Sequence, residues 1–326
     1  MADRTLPLVT IAIPTYNRAN SYLRQAIECS VNQTYRNIEI IISDNCSTDN
    51  TKEVVKSFNN PRIRYFKQDK NIGMNNNENF CVQKAKGDFF LLLCDDDMID
   101  HDLVDVCMQA ANYDKNVGVI LTGNRVINSE GEVLHEDTNK AGGLSTADFF
   151  LAWFEGKVPL YLCSTLYNTK RLKEIGGFRS KKALYEDDVA LVQLAARFGR
   201  VDVRGVKASF RKHSTNIGTT AKISDWCEDS LYLLDVMCNV APEKKVVIRH
   251  EGMVFFCRTN YDYCNGIKSP IKRFYAYMMV YKYFNYCHSP FRYIESRNIL
   301  YKNAYRLMKG VKRRMIQVFT QAVRSS

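Results

Sequence analysis

The chain has 326 residues, 46% of them hydrophobic and 25% charged, the make-up of a globular protein rather than a disordered or fibrous one. Its eleven cysteines are scattered without a CxxC pair, which argues against a zinc site and for reduced, mostly buried thiols. The net charge of +11 is local: residues 267–326 hold 13 Lys/Arg and one acid, the remainder 33 and 34, so the body lacks the basic face of a nucleic-acid binder.

The opening MADRTLPLVT lacks a signal peptide's apolar core, and no run approaches the roughly 20 apolar residues of a membrane span. A cytoplasmic protein is expected. LVTIAIPTY (8–16) is a β-branched run ended by Pro14 and reads as a buried strand. Residues 19–34 carry Leu23, Ala26, Ile27 and Val31 at helical spacing. IEIIISDN (38–45) is a second strand. STDNTKEVVKSF (47–58) predicts a helix capped by Ser47 or Thr48, with Glu53 in its early part. RIRYFKQ (62–68) is a third strand, and ENFCVQKAKG (78–87) a helix stopped by Gly87. DFFLLLCDDD (88–97) is a fourth strand that runs straight into three acids. LVDVCMQAANYD (103–114) predicts another helix and VGVILTGNRVI (117–127) another strand. A domain boundary is expected near 220, with a helical, aromatic region at 221–326.

Strands joined by helical crossovers imply a mostly parallel sheet with both faces covered. Ligands of such sheets bind outside the carboxyl ends of the strands. Those ends are here TYNR, SDN and CDDD, so three of the first four strands deliver polar groups to one rim. A single Asp after a strand is commonly a turn former or helix cap. Three in a row after an apolar strand repel one another, and a hard divalent cation with oxygen ligands removes that repulsion. Mg2+ or Mn2+ bound this way typically keeps water and adds substrate phosphates. Neither GxxxxGK[ST] nor GxGxxG occurs, so a phosphate would be held by metal and side chains instead.

IAIPTYNR (11–18), IISDNCSTDNT (41–51), NIGMNNNENF (71–80), GDFFLLLCDDD (87–97) and YEDDVALVQLAARFG (185–199) come in an order that resembles family 2 glycosyltransferases, over about residues 7–217. The resemblance implies the GT-A fold: a Rossmann-like, mostly parallel sheet with helices on both faces, here as a domain at 1–220 followed by the helical region. It also implies metal-dependent, inverting transfer of one hexosyl or deoxyhexosyl unit from a nucleotide-sugar to a hydroxyl of a glycan acceptor. The SDN and CDDD variants look most like bacterial enzymes of lipopolysaccharide or capsule synthesis, the abequosyltransferase type among them. By this resemblance Pro14, Thr15, Tyr16 and Asn71 belong to the nucleotide-sugar pocket, and Arg18 faces phosphate. Asp44 accepts a hydrogen bond from the base, though a helix-capping turn is its other reading. Cys94 stands where the family's Asp-X-Asp-Asp motif begins, which blurs the assignment. Asp96 is the expected metal ligand, Asp95 lies nearer the ribose, Asp97 helps through water, and His213 in RKHSTN (211–216) binds metal or diphosphate, or is structural.

A sugar hydroxyl is a poor nucleophile and needs a carboxylate to take its proton. Counting back from Gly199 falls on Asp187 and Asp188 and makes Asp188 the base. Counting from Glu186 makes Asp187 the base; Asp188 is the favoured of the two. Acids here also suit a helix N-terminus, the reading kept for Glu186. Tyr and Phe interleave with Lys and Arg beyond 267, as in IKRFYAYMMVYKYF and YRLMKGVKRRMIQVF, which suits an anionic membrane surface or an accessory bundle with a basic face. With a lipid-linked acceptor, the expected place is peripheral, at the inner face of the cell membrane. The competing readings are a processive polysaccharide synthase, whose usual QxxRW motif is not seen, and a catalytically inactive GT-A module.

Overall fold

The computed structural model describes residues 6–213 and 221–297. Nine strands form one sheet in the order β3-β2-β1-β4-β8-β6-β9-β5, with β7 on β6. The first half is β1 (Val9–Thr15), α1 (Leu23–Val31), β2 (Ile38–Asp44), α2 (Thr51–Lys56), β3 (Ile63–Lys67), α3 (Met74–Lys84) and β4 (Phe89–Leu92). β1 pairs in parallel with β2 and with β4, and β2 with β3. VTIAIPT and IEIIISD are almost wholly buried, as a sheet covered on both faces requires. The register sets Thr15 beside Asp44 and Ala12 beside Leu92, so β1, β2 and β4 end on one rim.

The second half adds β5 (Met98–Ile99), α4 (Leu103–Ala110), β6 (Val119–Ile127), β7 (Val133–Asp137), α5 (Thr146–Phe154), β8 (Thr165–Asn168), α6 (Thr169–Glu174), α7 (Glu186–Phe198) and β9 (Arg200–Arg211). β8 runs antiparallel to β4 and β6, while β9 is parallel to β6. The expected α/β architecture, mostly parallel around the site, is present with these antiparallel additions.

Two local expectations need correction. α2 begins at Thr51, and neither Ser47 nor Thr48 caps it; Asp49 Oδ1 accepts the Thr51 N–H at 3.1 Å. Ser47 Oγ accepts from Asn17 N–H at 2.8 Å instead, which ties the loop after β1 to the loop after β2. Gly87 does not stop α3, which starts at Met74 and has Ala85 as its C-cap. Its role is close approach: a Cβ there would stand 2.6 Å from Thr10 N and 2.8 Å from Leu8 O. Backbone of β1 and of the segment before it cannot yield cheaply. Gly87→Ala should cost about 1–3 kcal/mol, seen as a lower urea midpoint with an unchanged slope.

The described residues divide into two compact units, 6–213 with 221 and 228–252, and 222–227 with 253–297. α8 (Ile223–Val240), α9 (Lys245–Cys264) and α10 (Pro270–Tyr283) follow the sheet in the chain. Within the second unit the rings of Tyr261, Tyr277 and Tyr293 contact one another, and Tyr293 donates to Asp262 at 2.6 Å. Among the described residues no helix is long and apolar enough to cross a membrane. The basic segment YRLMKGVKRRMIQVF lies outside the described residues.

Candidate functional site

The rim made by β1, β2 and β4 opens on a cavity of about 620 Å³. Pro14, Thr15, Tyr16 and Arg18 line it from the end of β1, Asn45 and Asn71 from the loops after β2 and before α3. Asn45 fixes those loops: its Nδ2 donates to Asn71 Oδ1 at 3.0 Å, and its Oδ1 accepts Ile72 N–H at 2.8 Å. Cys94, Asp95, Asp96 and Asp97 line it beyond β4, with Glu78 of α3 and Glu186 and Asp187 of α7. Six carboxylates thus face one guanidinium among the described lining residues.

The three consecutive acids meet three different partners. Asp95 lies 3.6 Å from Arg18 Nε. Burial, then the charge of Asp96, pushes Asp95 up to about 6, although Thr15 and Arg18 act against this. Asp96 Oδ2 is 2.8 Å from His213 Nε2. Asp97 is buried, and its Oδ1 accepts the Arg211 N–H at 2.9 Å. Burial and the Asp96 charge raise Asp97 well above the usual carboxylate range. Arg211 is itself buried; it donates from Nε to Asp96 O at 2.8 Å and from Nη2 to Gln25 Oε1 at 2.7 Å, and lies over the Tyr22 ring. The last residue of β9 thereby holds the turn that carries the acids.

Ligand atoms of Cys94, Asp96 and Asp97 come within 4.8 Å of one another. This donor set fits a hard divalent cation through its oxygens. Cys94 fits poorly, since a soft thiolate suits other metals, and burial followed by the charges of Asp97 and Asp96 keeps its thiol protonated.

Three expected site residues stand apart from the cavity wall, Asp44, Asp188 and His213, the last beside Asp96. Asp44 is buried beneath it; its oxygens accept from Ser47 N–H and Tyr65 Oη, so it shapes the loop that presents Asn45. Asp188 is half-buried, and of the α7 acids Glu186 and Asp187 are those lining the cavity. Burial raises Asp187 above the ordinary range. Burial, then the charges of Asp187 and Glu186, raises Asp188 further.

Residues 10–176 match the family model for glycosyl transferase family 2. The chain belongs to this family. It is 30% identical over 227 residues, 66% of this chain and 69% of the relative, to the GalNAc(5)-diNAcBac-PP-undecaprenol beta-1,3-glucosyltransferase of Campylobacter jejuni. It is 36% identical over 136 residues to the chondroitin synthase of Pasteurella multocida, a match that takes 41% of this chain but 14% of that protein. Among solved structures it resembles S. aureus TarS, crystallised with UDP, with a TM-score of 0.61 at 16% identity over 88% of this chain and 82% of that one. The fold is GT-A, and the protein is a glycosyltransferase.

In this family 2 enzyme the approach to Glu186 and Asp187 is held by a residue that sequence reasoning missed. Asp229 of α8 is fully buried and accepts from Ser180 Oγ (2.6 Å), Lys182 N (2.9 Å), Leu184 N (2.8 Å) and Tyr185 N (3.0 Å). No local pattern marks it, because its partners lie 44–49 residues away. Asp229→Ala leaves those donors unpaired. It should cost about 1–3 kcal/mol in a thermal melt and lower turnover by misplacing Asp187. Glu78 was missed for a different reason: within NNNENF it looks like a solvent-facing helix acid.

Proposed function

We propose that this glycosyltransferase moves one sugar from a nucleotide-sugar to a hydroxyl of a lipid-linked glycan, with inversion and with a divalent metal, in bacterial surface-polysaccharide synthesis. The observation that carries this reading is the charge balance of the cavity. A diphosphate meets a wall of acidic groups with a single guanidinium among the described lining residues, and a divalent cation offsets the repulsion between the two. Asp96, with Asp97 behind it and His213 beside it, would hold Mn2+ or Mg2+. When bound, the metal supplies countercharge and Lewis acidity to the diphosphate leaving group.

The side chains do the rest. Pro14, Thr15, Tyr16, Asn45 and Asn71 enclose the nucleoside, with Asp44 setting the loop from below. Asp95 accepts from ribose hydroxyls, and Arg18 turns to the diphosphate. Asp187 is assigned as the base because it lines the cavity, in preference to Asp188. It takes the acceptor proton as the hydroxyl oxygen bonds to the anomeric carbon. The bond from that carbon to the diphosphate oxygen breaks, and its electron pair leaves with the nucleoside diphosphate. Attack opposite the leaving group inverts the centre. Isothermal titration of UDP, GDP, CDP and dTDP with and without Mn2+, followed by a hydrolysis screen of their sugars, tests this. Binding unaffected by metal for all four would overturn it.

The region 221–326 is proposed as the acceptor- and membrane-associating part. On α10, Ile271, Phe274, Tyr275 and Met278 are all exposed at helical spacing, flanked by exposed Lys268, Lys272 and Lys282. An apolar stripe with basic borders suits an anionic bilayer surface. The protein should float with vesicles containing anionic lipid and not with neutral ones. Lys268→Ala and Lys272→Ala should each weaken binding about fivefold, the worth of roughly 1 kcal/mol per basic residue. Equal flotation with neutral vesicles would count against the proposal.

A further inference from the structure

Glu78 has no part in the chemistry so far assigned. It sits on α3, is 5% exposed, and lines the cavity. Among the described residues no hydrogen bond or ion pair reaches its carboxyl. Glu186 faces the same cavity from the first turn of α7 at 7% exposure, and its Oε2 is buried without a hydrogen-bond partner among the described residues. Buried polar atoms without partners are rare in folded proteins, and each calls for an explanation. With Glu78 lining the same cavity, the Glu186 oxygen points to a ligand group that enters there.

Their place narrows what that group is. The Glu78 charge acts on Cys94 at the strand tip, while the charges of Glu186 and Asp187 act on Glu78. Glu78 lines the same cavity as the acids of the strand tip, at the diphosphate end, and the assigned base. The sugar in transfer has to lie between those two. Burial first, then its acidic neighbours, pushes Glu78 up to about 8 and Glu186 to about 7. Near neutral pH the Glu78 carboxyl is largely protonated and donates as well as accepts, which matches a sugar hydroxyl. Arg18 is the one cation among the described lining residues; it pairs with Asp95 and is assigned to the diphosphate, so an acidic sugar finds no counter-ion here.

We propose that Glu78 and Glu186 together bind a hydroxyl of the transferred sugar and select neutral or amine-bearing sugars over acidic ones. This inference rests on the glycosyltransferase reading above. It makes Glu78 a specificity-determining residue on a helix that also holds the Phe178 backbone through Asn75 and Asn79.

The test uses the full chain with Mn2+. Binding of UDP and GDP alone is measured by titration. UDP-glucose is then compared with UDP-glucuronic acid, and GDP-mannose with GDP-mannuronic acid, for wild type, Glu78→Ala and Glu78→Gln. Wild type should prefer the neutral member of the pair. Glu78→Ala should weaken the neutral sugar-nucleotide about tenfold, the scale of a lost buried hydrogen bond, and leave the free nucleotide unaffected. Glu78→Gln, which keeps shape, hydrogen bonding and the neutral state, should stay within about threefold for the neutral sugar and keep its advantage over the acidic one. The inference is overturned if both variants bind the neutral sugar-nucleotide as wild type does. It is equally overturned if they weaken free nucleotide and sugar-nucleotide alike, the mark of a purely structural role. Wild type that binds neither nucleotide sinks the parent reading along with it; wild type that binds while the variants are indifferent sinks this inference alone.

Discussion

Asp187→Asn should lower turnover by about 10²- to 10⁴-fold, the usual contribution of a positioned general base, while donor binding stays within about twofold. The asparagine keeps the shape of the carboxylate and one acceptor oxygen but cannot take the acceptor proton. Burial already raises the Asp187 carboxyl above its ordinary range, which makes it a stronger proton acceptor once ionised. A matched Asp188→Asn variant separates the two candidates. Asp188 does not line the cavity, so its loss should act mainly through the charge it shares with its neighbour and should cost far less. Single-turnover transfer measured beside nucleotide titration distinguishes chemistry from binding. A larger loss in Asp188→Asn than in Asp187→Asn would return the base to the position that spacing from Gly199 favours.

What could be read from the sequence follows physical range. β1, β2 and β4 are apolar runs cut off by polar residues, and a parallel sheet must place their ends together. The rim carrying Thr15, Asn45 and Asp95 was therefore legible from local patterns alone. α2 and α3 were legible as helices but not in their ends, since Asp49 rather than Ser47 meets the first free N–H, and Gly87 answers to Thr10 across the sheet. The pairing of His213 with Asp96 spans 117 residues, and the Asp229 clamp spans more than forty. Contacts of that kind leave no periodic trace. The same limit explains Glu78, since α3 packs on β1, β2 and α6, which its asparagine-rich neighbours do not reveal.

Asp96→Ala should abolish the enhancement of nucleotide binding by Mn2+, a loss on the order of 10²-fold in affinity, and with it turnover. The reasoning starts from repulsion. Asp95, Asp96 and Asp97 are neighbours, and among the described residues ion-pair contacts reach two of their carboxylates, from Arg18 at 3.6 Å and His213 at 2.8 Å. Asp97 is pinned to a backbone N–H and cannot swing away to relieve the charge. Asp96 lines the cavity with its carboxylate paired to an imidazole rather than to a guanidinium, so a divalent ion gains most there. Asp97→Ala is a poorer probe, because it strips the Arg211 N–H of its acceptor and loosens the turn itself. Asp97→Asn preserves that bond and should show a smaller metal effect. His213→Ala should leave Mn2+ binding detectable but weaker, since one ligand of a mixed oxygen–nitrogen set is lost while the carboxylates remain. EDTA-treated wild type should match Asp96→Ala in nucleotide titration, and Mn2+ should restore the first and not the second. Equal nucleotide affinity in wild type with and without EDTA would mean that the acids are satisfied by Arg18, His213 and Arg211 alone, and the metal-dependent reading would fall.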